Sequence, residues 1–284
     1  MPEKPALWSL GNPVTAVREI TQKASTARVY DYLCGGGHNF AVDRQFAEDM
    51  VKVLPNIKLV ARSNRGFLGR AVAFLSRQGI KQFIDIGSGL PMTVGNVHDI
   101  ADRENPHHSR VVYIDNDPIC FAHSEILISK TADPDRHKAL HGDYFDRHAL
   151  WERIAALDII DFTEPIGLLV VGVMQFLPTE KRPEATLQWY RDRLPTGSYL
   201  VLSHGTTEGD STGIIGTVAQ AYTQRTSGGG YPRSRAYIEA LFGDFRLVDP
   251  GVVWTPEWRP EPDQEYSGTP ADSAMLCGVA IKEG

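Results

Sequence analysis

Residues 83–89 constrain the fold of this 284-residue chain more than any other stretch. Their sequence, FIDIGSG, is a short apolar run that ends in an acid and two glycines. Consecutive apolar residues are typical of a parallel strand that is buried on both faces. Gly87 and Gly89 allow a sharp turn and a close approach of the backbone to a ligand, because they carry no Cβ. The segment therefore predicts a buried strand followed by a cofactor-binding turn.

The residues after the two glycines indicate which cofactor the turn binds. The dinucleotide fingerprint requires a third glycine three residues after the second, and this chain has Met92 there. A cofactor with a pyrophosphate is therefore disfavoured, and a nicotinamide-dependent dehydrogenase is the last alternative. The same strand, acid and glycine pair also occurs in S-adenosylmethionine-dependent methyltransferases, in which no phosphate has to be cradled.

Length and composition set the broad class of the protein. A chain of this length with 42% hydrophobic residues can bury one substantial core. The formal net charge of -6 gives no general attraction to nucleic acid or to an anionic membrane. Three widely spaced cysteines fit neither a disulfide framework nor a metal site, and no signal peptide is recognisable. We predict a cytoplasmic protein that acts on a small molecule, without a metal, a nucleic-acid partner or a membrane association.

Three acids follow three successive predicted strands. Asp85 ends the first strand, Asp115 ends the second and Asp143 follows the third. The carboxyl ends of parallel strands meet at one edge of a sheet, so these acids should line one crevice. A carboxylate at the position of Asp115 can accept both hydroxyls of a ribose. Asp143 can accept the amino group of an adenine, with Tyr144 and Phe145 packed on the ring.

The alternation of helix and strand patterns predicts the fold class. Apolar runs at residues 166–173 and 199–203 predict the fourth and fifth strands, and helical spacing of apolar residues lies between the strands. Two further strands are predicted near residues 245–248 and 275–281. The pattern predicts an α/β protein with a doubly wound, Rossmann-like sheet.

The N-terminal region carries further candidate site residues. Residues 27–44 place aromatic, acidic and amide side chains around three consecutive glycines. This composition indicates either a flexible joint between two helices or a lid over a pocket. Arg65, together with Asn64, lies just before the first strand and is a candidate partner for the carboxylate of the ligand.

From about residue 26 onward the chain resembles an actinobacterial family of S-adenosylmethionine-dependent methyltransferases that was long classed as a domain of unknown function. The resemblance rests on five segments: residues 27–43 (ARVYDYLCGGGHNFAVD), 61–68 (ARSNRGFL), 83–91 (FIDIGSGLP), 111–118 (VVYIDNDP) and 194–204 (LPTGSYLVLSH). It implies a seven-stranded methyltransferase sheet with an antiparallel edge, over residues 81–284. It also implies that residues 1–80 form a helical extension that caps the cofactor, with Tyr30 and Asp31 in the pocket.

The chain departs from the family pattern at two places. Gly37 and His38 stand where the family tends to have a Lys-Asp pair, and Gln175 stands where it tends to have a histidine. Methyl transfer needs mainly a water-poor pocket that aligns nucleophile, methyl and sulfur. A base is needed only where the acceptor must lose a proton. The candidates to orient or deprotonate an acceptor are Tyr30, His38, Gln175 and His204.

The leading interpretation is a methyltransferase that uses S-adenosylmethionine, releases S-adenosylhomocysteine and acts on a small molecule, and the resemblance favours a role in secondary metabolism. The alternatives are another reaction promoted by the bound cofactor, such as a cyclisation or rearrangement, and a cofactor sensor without turnover. The acceptor and the oligomeric state stay open. The predicted cofactor-binding residues are Tyr30, Asp31, Asn64, Arg65, Asp85, Gly87, Ser88, Gly89, Asp115, Asn116, Asp143, Tyr144, Phe145, Val173 and Met174.

Overall fold

A single mixed sheet organises the chain. The computed structural model describes residues 22–261, 266 and 268–284. The strands are β1 (Gln82–Ile86), β2 (Arg110–Asp115), β3 (His137–His141), β4 (Ile166–Val171), β5 (Tyr199–Gly205), β6 (Arg246–Leu247), β7 (Val253–Trp254) and β8 (Met275–Ile281). Their order is β3-β2-β1-β4-β5-β8-β6, and the short β7 pairs with β8.

The direction of the strands confirms the predicted fold class. Strands β1 to β5 are parallel, and β8 lies antiparallel between β5 and β6. The strand order reverses between β1 and β4, and such a switch point opens a crevice at the carboxyl ends of the strands. The two-residue strand β7 is an addition to the seven strands that were predicted.

Helices cover both faces of the sheet and precede it. They are α1 (Thr26–Cys34), α2 (Ala41–Val53), α3 (Ile57–Arg77), α4 (Val97–Glu104), α5 (Pro118–Thr131), α6 (Arg147–Ala155), α7 (Pro183–Arg193), α8 (Ile214–Arg225) and α9 (Arg235–Ala240). The start of α5 shows why the sequence places a helix there. Pro118 occupies the first turn and the Asp117 side chain accepts a hydrogen bond from the Ile119 amide, 2.9 Å away.

The core lies on both faces of the sheet, as the apolar strands predict. Every residue of β1 is buried. Ile84 and Ile86 pack into the larger cluster, while Phe83 packs into the cluster on the other face, because successive side chains of a strand point to opposite faces. The second half of α3, with Phe67 and Leu75, covers that other face.

A third, smaller cluster lies outside the sheet. It joins α1, α2, the start of α3 and α8 through residues such as Val29, Phe46, Met50, Ile57 and Tyr222. Helix α3 contributes to both this cluster and the sheet core, so the boundary drawn at residue 80 stays a prediction. Residues 1–21 of the proposed extension lie outside the described residues. Among the helices that the structure describes, none has the length and hydropathy of a membrane span.

Candidate functional site

A cavity of about 530 Å³ lies at the carboxyl ends of β1, β2, β3 and β4. Its floor contains the turn after β1, where Gly87 and Gly89 have φ angles of 70° and 67°. Residues other than glycine rarely adopt this backbone conformation. In addition, a Cβ on Gly87 would lie 2.5 Å from Cγ2 of Val173. Glycine is therefore needed at this turn for its conformation and for the close approach of the turn after β4.

Asp115 ends β2 inside the cavity. Its Oδ2 accepts the Gly89 amide and its Oδ1 accepts the Asp117 amide, both at 2.8 Å. Burial raises the pKa of this carboxyl to about 6, although the hydrogen bonds from the two amides favour the charged form and lower the pKa. Each carboxylate oxygen keeps a second lone pair. Asp115 is thus held in place by the backbone and can still accept hydroxyl groups of a ligand.

Asp85 is the second buried acid of the cavity floor. Burial raises its pKa to about 7, with a smaller contribution from the nearby Asp115, whereas the cation of Arg65 acts in the opposite direction. Among the described residues, none forms a hydrogen bond with the Asp85 carboxyl. Arg65 donates to the carbonyl oxygen of Gly95 at 3.1 Å and lines the same cavity. A cationic group beside Asp85 would favour its charged form.

A chain of hydrogen bonds fixes Tyr30 at the cavity wall. The Tyr30 hydroxyl donates to the Ala61 carbonyl oxygen at 2.9 Å and accepts from Nδ2 of Asn64 at 3.1 Å. The Ser203 hydroxyl donates to Oδ1 of Asn64 at 2.5 Å. Burial raises the pKa of Tyr30 further above neutrality. Tyr30 therefore keeps its proton, which points to Ala61, so it can orient a ligand but cannot act as the base.

The predicted adenine end of the cavity is lined by Asp143, Tyr144 and Asn116. Oδ1 of Asp143 accepts the Phe145 amide at 2.8 Å, which fixes the carboxylate at the end of β3. The Tyr144 hydroxyl donates to the Pro183 carbonyl oxygen at 2.7 Å, and its ring is buried. These residues form one wall of polar and aromatic character.

The structure brings most of the predicted cofactor residues together. The predicted residues that line the cavity are Tyr30, Asn64, Arg65, Asp85, Gly87, Ser88, Gly89, Asp115, Asn116, Asp143, Tyr144 and Val173. They come from α1, from α3 and from the carboxyl ends and following turns of four parallel strands. The strand-end acids meet because parallel neighbours end at the same edge of the sheet.

Three predicted cofactor residues lie outside the cavity lining. Met174 is buried in the main core, and the ring of Phe145 packs against that core beneath the ammonium group of Lys181. The Asp31 carboxylate accepts hydrogen bonds from the His38 amide at 3.0 Å and from Nδ2 of Asn39 at 2.7 Å. Asp31 thus holds the glycine-rich loop together, away from the cavity.

Three of the four candidate catalytic residues also lie outside the cavity lining. His38 is exposed, and its ring centroid lies 4.4 Å from that of His123. Gln175 is half-buried, and its Oε1 has no hydrogen-bond partner among the described residues. His204 is buried, which lowers its pKa to about 4, and Nδ1 lies 2.8 Å from the Gly205 carbonyl oxygen. His204 is therefore neutral at pH 7 and donates through Nδ1.

The roof of the cavity was missed in part by reasoning from the sequence, which expected an N-terminal cap but not the loop after α8. Its residues come from the start of α1, from the turn after β4 and from the loop after α8: Ser25, Thr26, Ala27, Arg28, Phe176, Leu177, Ser227 and Gly228. Ala24 pairs with Thr226 in a short parallel bridge, and the Ser227 amide donates to the Ala24 carbonyl oxygen at 2.8 Å. No local pattern marks the loop after α8, because its role depends on contact with a distant part of the chain.

Comparison with known proteins identifies the family. Residues 14–283 match the family model described as S-adenosyl methyltransferase. The chain belongs to this family. The resemblance noted in the sequence is thereby confirmed, and so is its cofactor class, S-adenosylmethionine. The search of curated proteins found no significant match.

Solved structures agree with the family assignment. A candidate methyltransferase from Thermobifida fusca YX is 34% identical, with a TM-score of 0.85, and the match covers 97% of this chain and 100% of that one. A DUF574 family protein from Streptomyces avermitilis MA-4680 is also 34% identical, with a TM-score of 0.86, and 92% and 98% of the two chains are covered. An O-methyltransferase family protein from Burkholderia thailandensis is 12% identical over 84% of this chain and 62% of its own, with a TM-score of 0.52, and shares the fold.

Proposed function

We propose that this methyltransferase family member binds S-adenosylmethionine in the described cavity and methylates a small molecule there, as a cytoplasmic enzyme of secondary metabolism. The observation that carries the proposal is the pair of buried acids, Asp85 and Asp115, on the floor of a cavity beside the glycine turn. Buried acids that face a cavity are costly to the free protein unless a ligand compensates for them.

The polar groups of the cavity fit the parts of this cofactor. Asp115 would accept the ribose hydroxyls, Asp143 the amino group of the adenine, and Asp85 the ammonium group of the methionine part. Arg65 would pair with the carboxylate of the ligand. A cofactor with a cation, an anion and a vicinal diol thus finds a partner for each group. The cofactor supplies an electrophilic methyl group, so the protein needs mainly to align and desolvate the acceptor.

The acceptor would lie at the roof side of the cavity. Val173, Phe176 and Leu177 give this side an apolar wall, and Tyr30 presents its fixed ring and hydroxyl. We propose that the first turn of α1, as part of the N-terminal extension, caps the cofactor and excludes water. Because Tyr30 keeps its proton, its role would be to orient the acceptor rather than to deprotonate it.

Calorimetric titration tests the cofactor, with S-adenosylmethionine, S-adenosylhomocysteine and a nicotinamide dinucleotide as parallel ligands. We expect micromolar binding of the two sulfur compounds and no binding of the dinucleotide. A panel of small acceptors would then be assayed for formation of S-adenosylhomocysteine. Absence of binding by both sulfur compounds would contradict the proposal. Cofactor binding without transfer to any acceptor would favour a sensor or a different cofactor-promoted reaction.

A further inference from the structure

A buried ion network links the N-terminal helices to the cavity. Nε of Arg28 in α1 lies 2.7 Å from Oδ2 of Asp43 in α2, and Nη1 lies 3.2 Å from Oδ2 of Asp117, which follows β2. The Ser25 hydroxyl donates to the same Asp117 oxygen at 2.6 Å. Arg28 therefore joins a carboxylate of the extension to a carboxylate at the end of the sheet.

The network continues to the floor of the cavity. The Asp117 amide donates to Oδ1 of Asp115, and the Gly89 amide donates to Oδ2 of Asp115, both at 2.8 Å. The other oxygen of Asp117 accepts the Ile119 amide at the start of α5. Asp117 is therefore held from both sides, and its amide is one of the two amides that orient the Asp115 carboxylate.

Asp43 is the end of this network that lies outside the cavity lining. It is fully buried and does not line the cavity. Its oxygens accept the Ser25 amide at 2.9 Å and the Phe40 amide at 2.8 Å, in addition to Arg28. Asp43 thus fixes both the start of α1 and the guanidinium of Arg28 without touching the cavity.

Stability alone is a poor explanation for such a network. Burying ion pairs costs desolvation energy, and well-packed apolar residues often stabilise a fold as well or better. Fixed geometry is what an ion network with several hydrogen bonds provides, because a planar guanidinium can bridge two carboxylates at defined angles.

We propose that Arg28 and Asp43 are positioning residues for the ribose of the cofactor, which act through Asp117 on the carboxylate of Asp115. This inference rests on the proposed placement of the cofactor. It gives the extension a role beyond covering the cavity: the packing of α1 on α2 sets the orientation of a group on the cavity floor. Loosening the network lowers affinity for the cofactor although no group that touches it is removed.

The experiment is a double-mutant cycle on the full chain, with S-adenosylhomocysteine affinity measured by calorimetry. We expect Asp43→Asn, a nearly isosteric change, to weaken binding about fivefold. In the Asp115→Asn background the same change should have no further effect, because its route to the ligand is already removed. Thermal unfolding and circular dichroism establish that each variant is folded.

A matched control separates positioning from general destabilisation. Asp102 also pairs with an arginine, Arg136, at 2.8 Å, and does not line the cavity, so Asp102→Asn should lower stability but leave affinity unchanged. If Asp43→Asn does not fold, Asp43→Glu takes its place, because glutamate keeps the charge but shifts the carboxylate by one methylene, and Asp43, unlike Arg28, does not line the cavity.

Two results would overturn the inference while leaving the proposed function intact. One is unchanged affinity in a folded Asp43→Asn protein, and the other is a loss that simply adds to that of Asp115→Asn. Failure of the wild-type protein to bind S-adenosylhomocysteine would instead contradict the proposed function itself.

Discussion

The floor and the roof of the cavity differ in whether a buried charged side chain has a partner of opposite charge. On the floor, Asp85 and Asp115 are buried at the ends of two strands, and burial raises the pKa of each. In the roof, Arg28 is equally buried but lies between Asp43 and Asp117, within 3.2 Å of both. The floor therefore holds acids without a direct cationic partner among the described residues, whereas the roof holds a bridged network.

The difference separates groups that would bind a ligand directly from groups that hold those binding groups in place. A buried acid without a cationic partner destabilises the free protein, and a ligand that compensates for it gains affinity. A buried cation that bridges two carboxylates is compensated, and the protein is destabilised when one member of the network is removed and leaves a buried charge unpaired. Substitutions on the floor and in the roof should therefore change stability in opposite directions.

The largest effect is expected in the roof. Arg28→Met leaves the fully buried carboxylate of Asp43 and the half-buried one of Asp117 without their cation, so we expect the free energy of unfolding to fall by about 4 kcal/mol. Urea denaturation at pH 7 measures it. The control is Arg77→Met, which breaks the exposed pair with Glu104 and should cost less than about 1 kcal/mol. If both variants lost the same free energy of unfolding, the roof network would be no more important for stability than an exposed ion pair.

On the floor, Asp85→Asn should stabilise the ligand-free protein at high pH. The raised pKa means that the protonated carboxyl stabilises the fold fully below about pH 4, and that this contribution is lost as the pH rises through about 7. Three pKa units correspond to about 4 kcal/mol, and burial of the amide offsets about 1 kcal/mol of it. By urea denaturation, we expect a gain of about 3 kcal/mol at pH 8 and no gain, or a loss of up to about 1 kcal/mol, at pH 4. Equal gains at both pH values would show that Asp85 is not the titrating group.

Asp115 should matter for the ligand more than for the fold. We expect Asp115→Ala to weaken S-adenosylmethionine binding by about 2 kcal/mol, the loss typical of a charged hydrogen-bond partner. This corresponds to about a thirtyfold rise in Kd, which calorimetry resolves. Unchanged affinity in the folded variant would remove Asp115 from the binding site and would place the ribose elsewhere.

The smallest effect is expected outside both regions. His38 is exposed in the glycine-rich loop and does not line the cavity. We expect His38→Ala to change neither cofactor affinity nor, once an acceptor is found, the rate of methyl transfer. A loss of kcat with unchanged cofactor affinity would instead restore His38 as a catalytic group and would mean that the loop moves towards the acceptor.

The sequence predicted the floor of the cavity well because its signals are local. A buried strand, a glycine turn and an acid at a strand end are each encoded within a few residues, and parallel pairing brings them together. Asp85, Asp115 and Asp143 were found in this way, and the structure places all three at the cavity.

The roof could not be predicted in the same way, since it depends on contacts between distant segments. The pairing of Ala24 with Thr226 leaves no trace in either local sequence. Asp31 shows the converse case: its motif predicted a pocket residue, and the structure places its carboxylate in hydrogen bonds that close the glycine-rich loop. A motif shows which residues have a role, but not whether that role is to bind a ligand or to hold a loop.

The bridge between Ala24 and Thr226 also bears on how the protein folds. It joins segments that lie far apart along the chain. Such contacts are expected to form late, because the entropy lost on closing a long loop precedes the stabilising energy of the contact. The cavity is complete only after this closure. We therefore expect a ligand of the cavity to act on a chain whose sheet is already assembled, rather than to guide the early pairing of β1, β2 and β4.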